Sequence, residues 1–372
     1  MARRKIAFII TKLELGGAQK SVLYSVKNLP KNKFETYLLC GPGGFLDEKA
    51  KKEIKNLFFI PALKREINFK QDFSALKQIY KTLKQIKPDI VHTNSSKAGF
   101  LGRIAAKALA IPCIHTVHGF AFNNEQKLPK KMFYILSEAF CGLLTKKLVF
   151  VAKSDMALAQ KYKIGSAKKR VLIRAGVEIK TRKDFPLFNK EKKLKELGLN
   201  KENQIILSIA NLKPQKNPLD MIKAAKTVCK KFPKAVFLYL GTGPLQEQAQ
   251  ALIKKYNLGD NFKLLGHRTD TSELLLISDV FALSSLWEGL PMALAEALFM
   301  QVPAVCYDVN GIKEILKNNR NGFLCKSKDY KKLAQNICLI LEGSFKFEAL
   351  DLTAFDINLM VQKQAALYEN LK

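Results

Sequence analysis

Short apolar runs and helix-period segments alternate along this chain in two series, with a polar stretch between them. The apolar runs of the first series are Lys5–Ile10, Thr36–Cys40, Leu57–Ile60, Ile90–Thr93, Ile111–Val117, Leu148–Val151 and Val171–Ile173. Between them, Ala18–Leu29, Phe73–Ile86 and Ala98–Ala110 place apolar residues at helical spacing. Strands covered on both faces read as continuous apolar runs, and a strand–helix repeat calls for a parallel sheet sandwiched by helices. The second series runs through Ile205–Ala210, Ala235–Leu240, Phe262–Leu265, Val280–Leu283, Ala304–Tyr307 and Phe323–Cys325, with helices such as Met221–Phe232 and Leu245–Tyr256. Residues 178–203 are Lys-rich, contain a proline and show only a short helical piece near Lys190–Leu197. The expectation is an α/β chain with an N-terminal domain 1–178, a linker 179–203, a C-terminal domain 204–345 and a helical tail 346–372. Two doubly wound domains imply a ligand cleft faced by the carboxyl ends of both sets of strands.

Seven cysteines, with no C-x-x-C pair, exclude a full disulfide framework and fit a reduced cytoplasmic protein. The opening Met-Ala-Arg-Arg-Lys has the look of a signal n-region, but the apolar run after it is only Ile6–Ile10 before Lys12, which reads as a buried strand. The best candidate for a spanning helix, Met132–Val151, carries Glu138, Lys146 and Lys147, so no stretch reaches the roughly 18 uncharged apolar residues a span requires.

The net charge is +31 and uneven. Residues 1–178 hold 34 Lys/Arg against 12 Asp/Glu, and residues 179–372 hold 29 against 20. Such a field attracts nucleic acid, an anionic membrane face or a phosphorylated substrate. A Lys-rich composition with solvated helix faces is the plainer account of it.

The residues that can carry chemistry cluster at the ends of apolar runs. Gly16-Gly17 follows the first strand and opens the first helix, where backbone N–H groups can meet a phosphate or simply make a turn. His118 lies just past Ile111–Val117, beside Gly119, whereas His92, His115 and His267 read as structural. Asn211-Leu-Lys-Pro-Gln-Lys216 follows Ile205–Ala210, and Lys216 there either neutralises a diphosphate or is a solvated loop lysine. Gly241-Thr-Gly243-Pro244 makes a second close-approach turn. The sharpest feature is Glu288-Gly-Leu-Pro-Met-Ala-Leu-Ala-Glu296, preceded by Ser284 and Ser285. Pro291 marks the start of a helix, so Glu288 belongs to the loop before it, held by the helix dipole or pointing at a ligand. Glu296 then lies among Leu294, Ala297 and Leu298, and needs a ribose diol, a cation or an ion-pair partner.

These features, in this order and with Asn310-Gly311-x-x-Glu314 after them, resemble the family-4 retaining glycosyltransferases of the GT-B fold, in which two Rossmann-like domains face each other. The resemblance covers nearly the whole chain and is most specific in the C-terminal half. It implies a nucleotide-sugar donor, with UDP the carrier by family frequency, bound by the C-terminal domain. Glu296 would hold the ribose. Glu288, with the backbone at Gly289 and Leu290, would hold the sugar. Lys216 would stabilise the departing diphosphate, and His118 and the Gly16-Gly17 backbone would meet the donor from the N-terminal side. Asn211, Gly241 and Gly243 belong to the same donor-binding set. The family retains anomeric configuration by front-face attack and uses no bound metal. It usually has an arginine where this chain has Asn211, so Lys213 or Arg268 becomes the candidate for the missing charge.

The acceptor expected from the basic N-terminal half is a polyprenyl-diphosphate-linked sugar of a surface polysaccharide, met at the inner face of the cytoplasmic membrane. Lys127, Lys130, Lys131 and Lys146 with Phe120, Phe122, Met132 and Phe133 form the expected basic–apolar membrane patch. A nucleotide-sugar 2-epimerase or a phosphorylase would keep the cleft but lack the acceptor site. A basic nucleic-acid-binding protein fits the charge but not the glycines and carboxylates at strand ends, and no RNP, helix-turn-helix or zinc pattern is present.

Overall fold

The computed structural model describes residues 3–123 and 125–371. Among these described residues the chain forms two compact units, one running to Val177 and taking back the tail from Ala354, the other from Glu178 to Thr353.

The first unit contains β1 (Arg4–Lys12), α1 (Gly17–Asn28), β2 (Phe34–Gly41), α2 (Asp47–Glu53), β3 (Leu57–Phe59), α3 (Phe69–Ile86), β4 (Ile90–Asn94), α4 (Ser96–Ala108), β5 (Cys113–Val117), α5 (Leu128–Leu143), β6 (Lys147–Phe150), α6 (Lys153–Lys161) and β7 (Arg170–Leu172). All strand pairings are parallel, in the order β3-β2-β1-β4-β5-β6-β7. The pleat splits the strand residues between two cores: Ile6, Phe8 and Ile10 face one layer, while Ala7, Ile9 and Val91 face α3 and α4.

The second unit contains α7 (Lys190–Glu196), β8 (Gln204–Ile209), α8 (Pro218–Lys231), β9 (Ala235–Leu240), α9 (Gln246–Lys255), β10 (Phe262–Gly266), α10 (Thr271–Ile277), β11 (Val280–Leu283), α11 (Met292–Phe299), β12 (Ala304–Tyr307), α12 (Ile312–Ile315), β13 (Gly322–Cys325) and α13 (Tyr330–Leu341). Its sheet is again all parallel, in the order β10-β9-β8-β11-β12-β13. In both units the strand order reverses beside the first strand, between β1 and β4 and between β8 and β11. A crevice opens at such a switch point, because the loops on its two sides turn to opposite faces of the sheet.

Two expected boundaries move. Residues 179–203 do not form a linker but pack as part of the second unit. Arg182 donates to the Leu276 carbonyl at 3.1 Å, and Lys193 is buried against Glu196, Asp270 and Glu273 at 2.7–2.9 Å. The expected tail divides too: Glu348 is still paired with Arg320, and the return to the first unit begins at Ala354. The last helix, α14 (Ile357–Glu369), then joins the core beside α1. Its Tyr368 is fully buried and donates to, or accepts from, His92 Nδ1 at 2.5 Å. Arg4 donates to the Tyr368 and Leu371 carbonyls at 2.5 and 3.2 Å.

The expected membrane patch also changes membership. Phe120 and Phe122 are buried, stacked on each other at 4.5 Å and packed against Phe150 and Tyr162. Met132 and Phe133 are exposed, and so are Leu128, Leu136, Phe140 and Leu143 of the same helix. Positions 128, 132, 136, 140 and 143 recur at helical spacing, so they form one outward stripe along α5. The inward side holds Ile135 and Glu138, and the Arg103–Glu138 pair at 2.9 Å fixes α5 to α4. Among the described residues no helix is long and apolar enough to cross a membrane.

Candidate active site

In the second unit the loops that follow β8 and β11 flank the switch point, and they are bound to each other. The β8 loop makes a 3-10 turn at Pro214–Lys216, then passes through Asn217 in a left-handed conformation (φ 48°) into α8, where Pro218 takes the first helical position. The Ser284 hydroxyl lies 3.1 Å from the Lys216 carbonyl and 2.8 Å from that of Asn217. The Leu286 N–H donates to the Gln215 carbonyl at 2.8 Å, and the Gln215 amide donates to the Trp287 carbonyl at 2.9 Å. Asp220 accepts from Asn217 at 2.7 Å and from the Tyr307 hydroxyl at 3.0 Å, which locks the turn to β12.

These contacts bring Lys216 Nζ to 2.5 Å from Glu288 Oε1. The lysine side chain is 18% exposed and the carboxylate 6%. Two of the expected catalytic residues, 72 positions apart, are thus one ion pair. A carboxylate that deep is held there by its cation, since stranding it unpaired would be costly. Around it, the Ser285 and Tyr239 hydroxyls are buried and have no hydrogen-bond partner among the described residues. Burial, and then the Glu288 charge, pushes the Tyr239 phenol well above its ordinary range.

Glycines shape this site by close backbone packing. A Cβ on Gly311 would lie 1.5 Å from the Gly289 carbonyl, and Gly311 has φ +73°. A Cβ on Gly241, at φ +136°, would lie 2.3 Å from the Ala210 carbonyl, and one on Gly243 would lie 2.4 Å from that of Leu212. Gly241 and Gly243 therefore press the β9 loop onto the loop that carries Asn211. Leu290 is buried, and Pro291 caps α11. Glu296 is half-buried in that helix between the buried Ala295 and Ala297.

Arg268, one of the two candidates for the missing charge, is engaged within the second unit. Its guanidinium binds both Asp270 oxygens, at 2.8 and 2.6 Å, and Glu196 at 2.6 Å, in the cluster that buries Lys193. Those hydrogen bonds hold the Asp270 carboxyl well below the usual carboxylate range. Lys213 remains on the Asn211 loop, where it caps the 3-10 turn.

In the first unit Gly16 caps α1 in an extended conformation (φ −145°) that any residue adopts, and Gly17 begins the helix. A Cβ on Gly16 would meet only the tip of the Gln19 side chain, at 2.6 Å. Packing within the chain therefore gives little reason for glycine here, in contrast to Gly311.

His118 sits one residue beyond β5, with Nε2 at 3.0 Å from Asn94 Oδ1. The Asn94 amide nitrogen donates to the His92 carbonyl at 3.3 Å, and Oδ1 faces the ring. His118 then carries its proton on Nε2 and leaves Nδ1 as a lone-pair acceptor. Although part of its surface is open, the ring lies deep enough that burial pushes its pKa down to about 4. The other histidines are each bonded within their own unit. His92 bridges Tyr368 and Thr116, His115 contacts Thr93 at 2.9 Å, and His267 contacts Thr242 at 2.8 Å. Asn94 and Tyr239 carry no sequence signal of their own as polar partners of the site, and each acquires its place from strands distant in sequence.

A model of Glycosyl transferases group 1 matches residues 189–351, and one of Glycosyltransferase Family 4 matches residues 15–180. An Escherichia coli protein named UDP-Gal:alpha-D-GlcNAc-diphosphoundecaprenol alpha-1,3-galactosyltransferase is 36% identical over 330 residues, 87% of this chain and 84% of that one. A Campylobacter jejuni protein named N,N'-diacetylbacillosaminyl-diphospho-undecaprenol alpha-1,3-N-acetylgalactosaminyltransferase is 28% identical, over 80% of this chain and 82% of its own. Among solved structures, Anabaena HepE in complex with UDP and glucose superposes with a TM-score of 0.84 at 18% identity, over 99% of this chain and all of that one.

Proposed function

This chain belongs to the family-4 glycosyltransferases and has their GT-B fold, and from that premise we propose that it moves a sugar from a UDP-sugar, with retention, onto a sugar carried by a polyprenyl diphosphate at the cytoplasmic membrane face. The observation that carries the donor half is the Lys216–Glu288 pair at the switch point between β8 and β11. Breaking a glycosyl–phosphate bond builds negative charge on the diphosphate and positive charge on the sugar. Lys216 is a point charge for the first, and Glu288 a fixed acceptor for hydroxyls of the second. A cation or N–H aimed at a developing anion contributes about 3–4 kcal/mol, by analogy with oxyanion donors.

The remaining roles follow from chemistry. Glu296 binds the ribose diol, and Gly289 and Leu290 present backbone to the sugar. Asn211, Gly241 and Gly243 shape the wall along the diphosphate, with Lys213 supplying the second charge. Nδ1 of His118, a neutral acceptor, takes a hydrogen bond from a donor-sugar hydroxyl. The open approach at Gly16 lets α1's first N–H groups face phosphate. In front-face transfer the acceptor hydroxyl oxygen bonds to the anomeric carbon as the bond to the phosphate oxygen breaks. That oxygen takes the hydroxyl proton, so no protein base is required.

For the acceptor, the names of the two bacterial relatives support a diphosphoundecaprenol-linked sugar. The α5 stripe, with exposed Lys127, Lys130 and Lys146 nearby, suits a bilayer with anionic headgroups. The test is a thermal-shift screen over UDP-, GDP- and ADP-sugars, repeated on Glu296→Ala, followed by transfer assays with a polyprenyl-diphosphate-sugar. A UDP-specific shift that Glu296→Ala abolishes supports the reading. Equal response to all three nucleotides, or donor turnover that needs no acceptor, overturns it, and the second result marks an epimerase.

A further inference from the structure

A small pocket in the first unit, with room for about one water, is lined by Ser21, Asn94, Thr116, His118, Met360 and Gln364, among others. Gln364 is only 7% exposed, yet its Oε1 has no hydrogen-bond partner among the described residues. A buried carbonyl oxygen without a partner is destabilising, so such groups are nearly always satisfied, often by an ordered water. The pocket suits one: its free space fits a water, and its wall offers several polar groups.

The helix that carries Gln364 is held firmly. Tyr368, four residues on and therefore on the same face of α14, is bonded to His92, which is bonded to Thr116. Asn94 is 2% exposed, and its amide nitrogen has two hydrogens. One goes to the His92 carbonyl, while Oδ1 of the same side chain accepts from His118. A second donor hydrogen on Asn94 and an acceptor without a partner on Gln364 thus line the same small pocket.

We propose that Gln364 is a positioning residue for His118, acting through one bound water that bridges Gln364 Oε1 and Asn94 Nδ2. The water holds the Asn94 amide in the orientation that keeps the His118 proton on Nε2 and its Nδ1 lone pair available. The ring's tautomer thus depends on a helix that enters the first unit only after the chain has completed the second. The catalytic consequence rests on the donor role given to His118 above. The positioning itself does not.

The test uses the full chain. In wild type, ring nitrogen shifts of labelled histidines should show His118 in the Nε2–H form, and a high-resolution crystal structure should show a water in reach of both side chains. Gln364→Met keeps the volume and removes the acceptor. We expect His118 to become a tautomer mixture, and kcat to fall roughly fivefold to tenfold with donor KM held within about twofold. Gln364→Glu retains an acceptor and should restore the single tautomer. A purely packing role would change the melting temperature of Gln364→Met and leave the ring shifts alone, and that result overturns the proposal. So does a crystal structure in which Gln364 Oε1 meets a protein donor or no water. Both spectroscopic and crystallographic readings are made without substrate. If they hold while kcat is unchanged, the donor role of His118 fails and the positioning stands.

Discussion

Lys216 and Glu288 close a 2.5 Å contact between the loops after β8 and β11, the two strands where the order of the second sheet reverses. Each side chain is legible as a candidate by itself, but the pairing gives them a joint role. On the proposed reading the carboxylate pre-orients the ammonium and keeps its charge where a diphosphate oxygen would arrive. When the diphosphate binds, the lysine gains a second anionic partner without searching for its position, and that is electrostatic preorganisation.

Lys216→Met should lower kcat by about 10²–10³-fold, since it removes charge aimed at the leaving group. It also strands Glu288, so the second unit should lose on the order of 1–3 kcal/mol in denaturant unfolding. Glu288→Gln keeps the cation and should leave UDP affinity within a few-fold while transfer falls at least about tenfold. Initial rates and UDP titrations on both variants check this. A Lys216→Met enzyme that turns over at near wild-type rate excludes the leaving-group role.

Two glycines should respond in opposite ways to alanine. Gly311→Ala drives a Cβ into the Gly289 carbonyl and requires φ +73°, so the Glu288 loop must move. Its expected cost is about 2–4 kcal/mol of stability, with donor binding lost. Gly16→Ala sits in an extended conformation with only a flexible glutamine tip in the way. It should fold with stability within about 1 kcal/mol of wild type and still lose activity, because the methyl group blocks the approach of a phosphate. Full activity in Gly16→Ala would reduce Gly16-Gly17 to an ordinary turn.

The strands were readable because burial on both faces leaves no room for polar alternation. Val280–Leu283 and Ala304–Tyr307 match their apolar runs to the residue. What was not readable depends on partners distant in sequence. Lys193 in a Lys-rich segment looks solvated, and only the convergence of Asp270 and Glu273 from the start of α10 buries it and makes 179–203 part of a domain. Arg268 looked available until the same cluster claimed it. Phe120 and Phe122 have no helical period to reveal which way they face, and it is Phe150 and Tyr162 that draw them inward. On α5 the reverse holds, because helical spacing exposes the stripe once the buried side, Ile135 and Glu138, is known.

Acid should destabilise the first unit in a defined window. Burial lowers the His118 pKa to about 4, and burial with the neighbouring His118 lowers that of His92 to about 3. Both folded values lie below the unfolded value near 6.5, so the unfolded chain binds more protons below that pH. The stability these neutral rings contribute is complete above about pH 6.5 and is lost as pH falls towards 4 and 3. Unfolding free energy measured from pH 8 to pH 4 should fall most steeply below 6.5, and less steeply in His118→Gln. Because His118 stays neutral down to about pH 5, kcat should show no titration near 6.5 that His118→Gln removes. A His118 resonance that titrates near 6.5 would contradict the neutral-acceptor role.

If the chain docks on a membrane as proposed, the outward stripe of α5 is where the affinity would reside. Leu136 and Phe140 are 62% and 50% exposed, one helical turn apart, and neither contributes to the buried side that packs α5. Moving a Leu or Phe side chain from water into a bilayer interface gains up to about 1.5–3 kcal/mol, so removing one weakens partitioning by roughly tenfold or more. Leu136→Glu/Phe140→Glu should abolish sedimentation with liposomes containing anionic lipid, while leaving the melting temperature and the UDP-induced shift unchanged. Reversing charge at Lys127 and Lys130 instead should reduce binding in low salt and matter little at about 0.5 M salt, where the Debye length is only a few Å. Transfer to a lipid-linked acceptor in vesicles should fall with the double substitution, but transfer to a short-chain, water-soluble acceptor should not. Equal loss on both acceptors would mean that α5 serves the catalytic domain itself rather than its docking to a membrane.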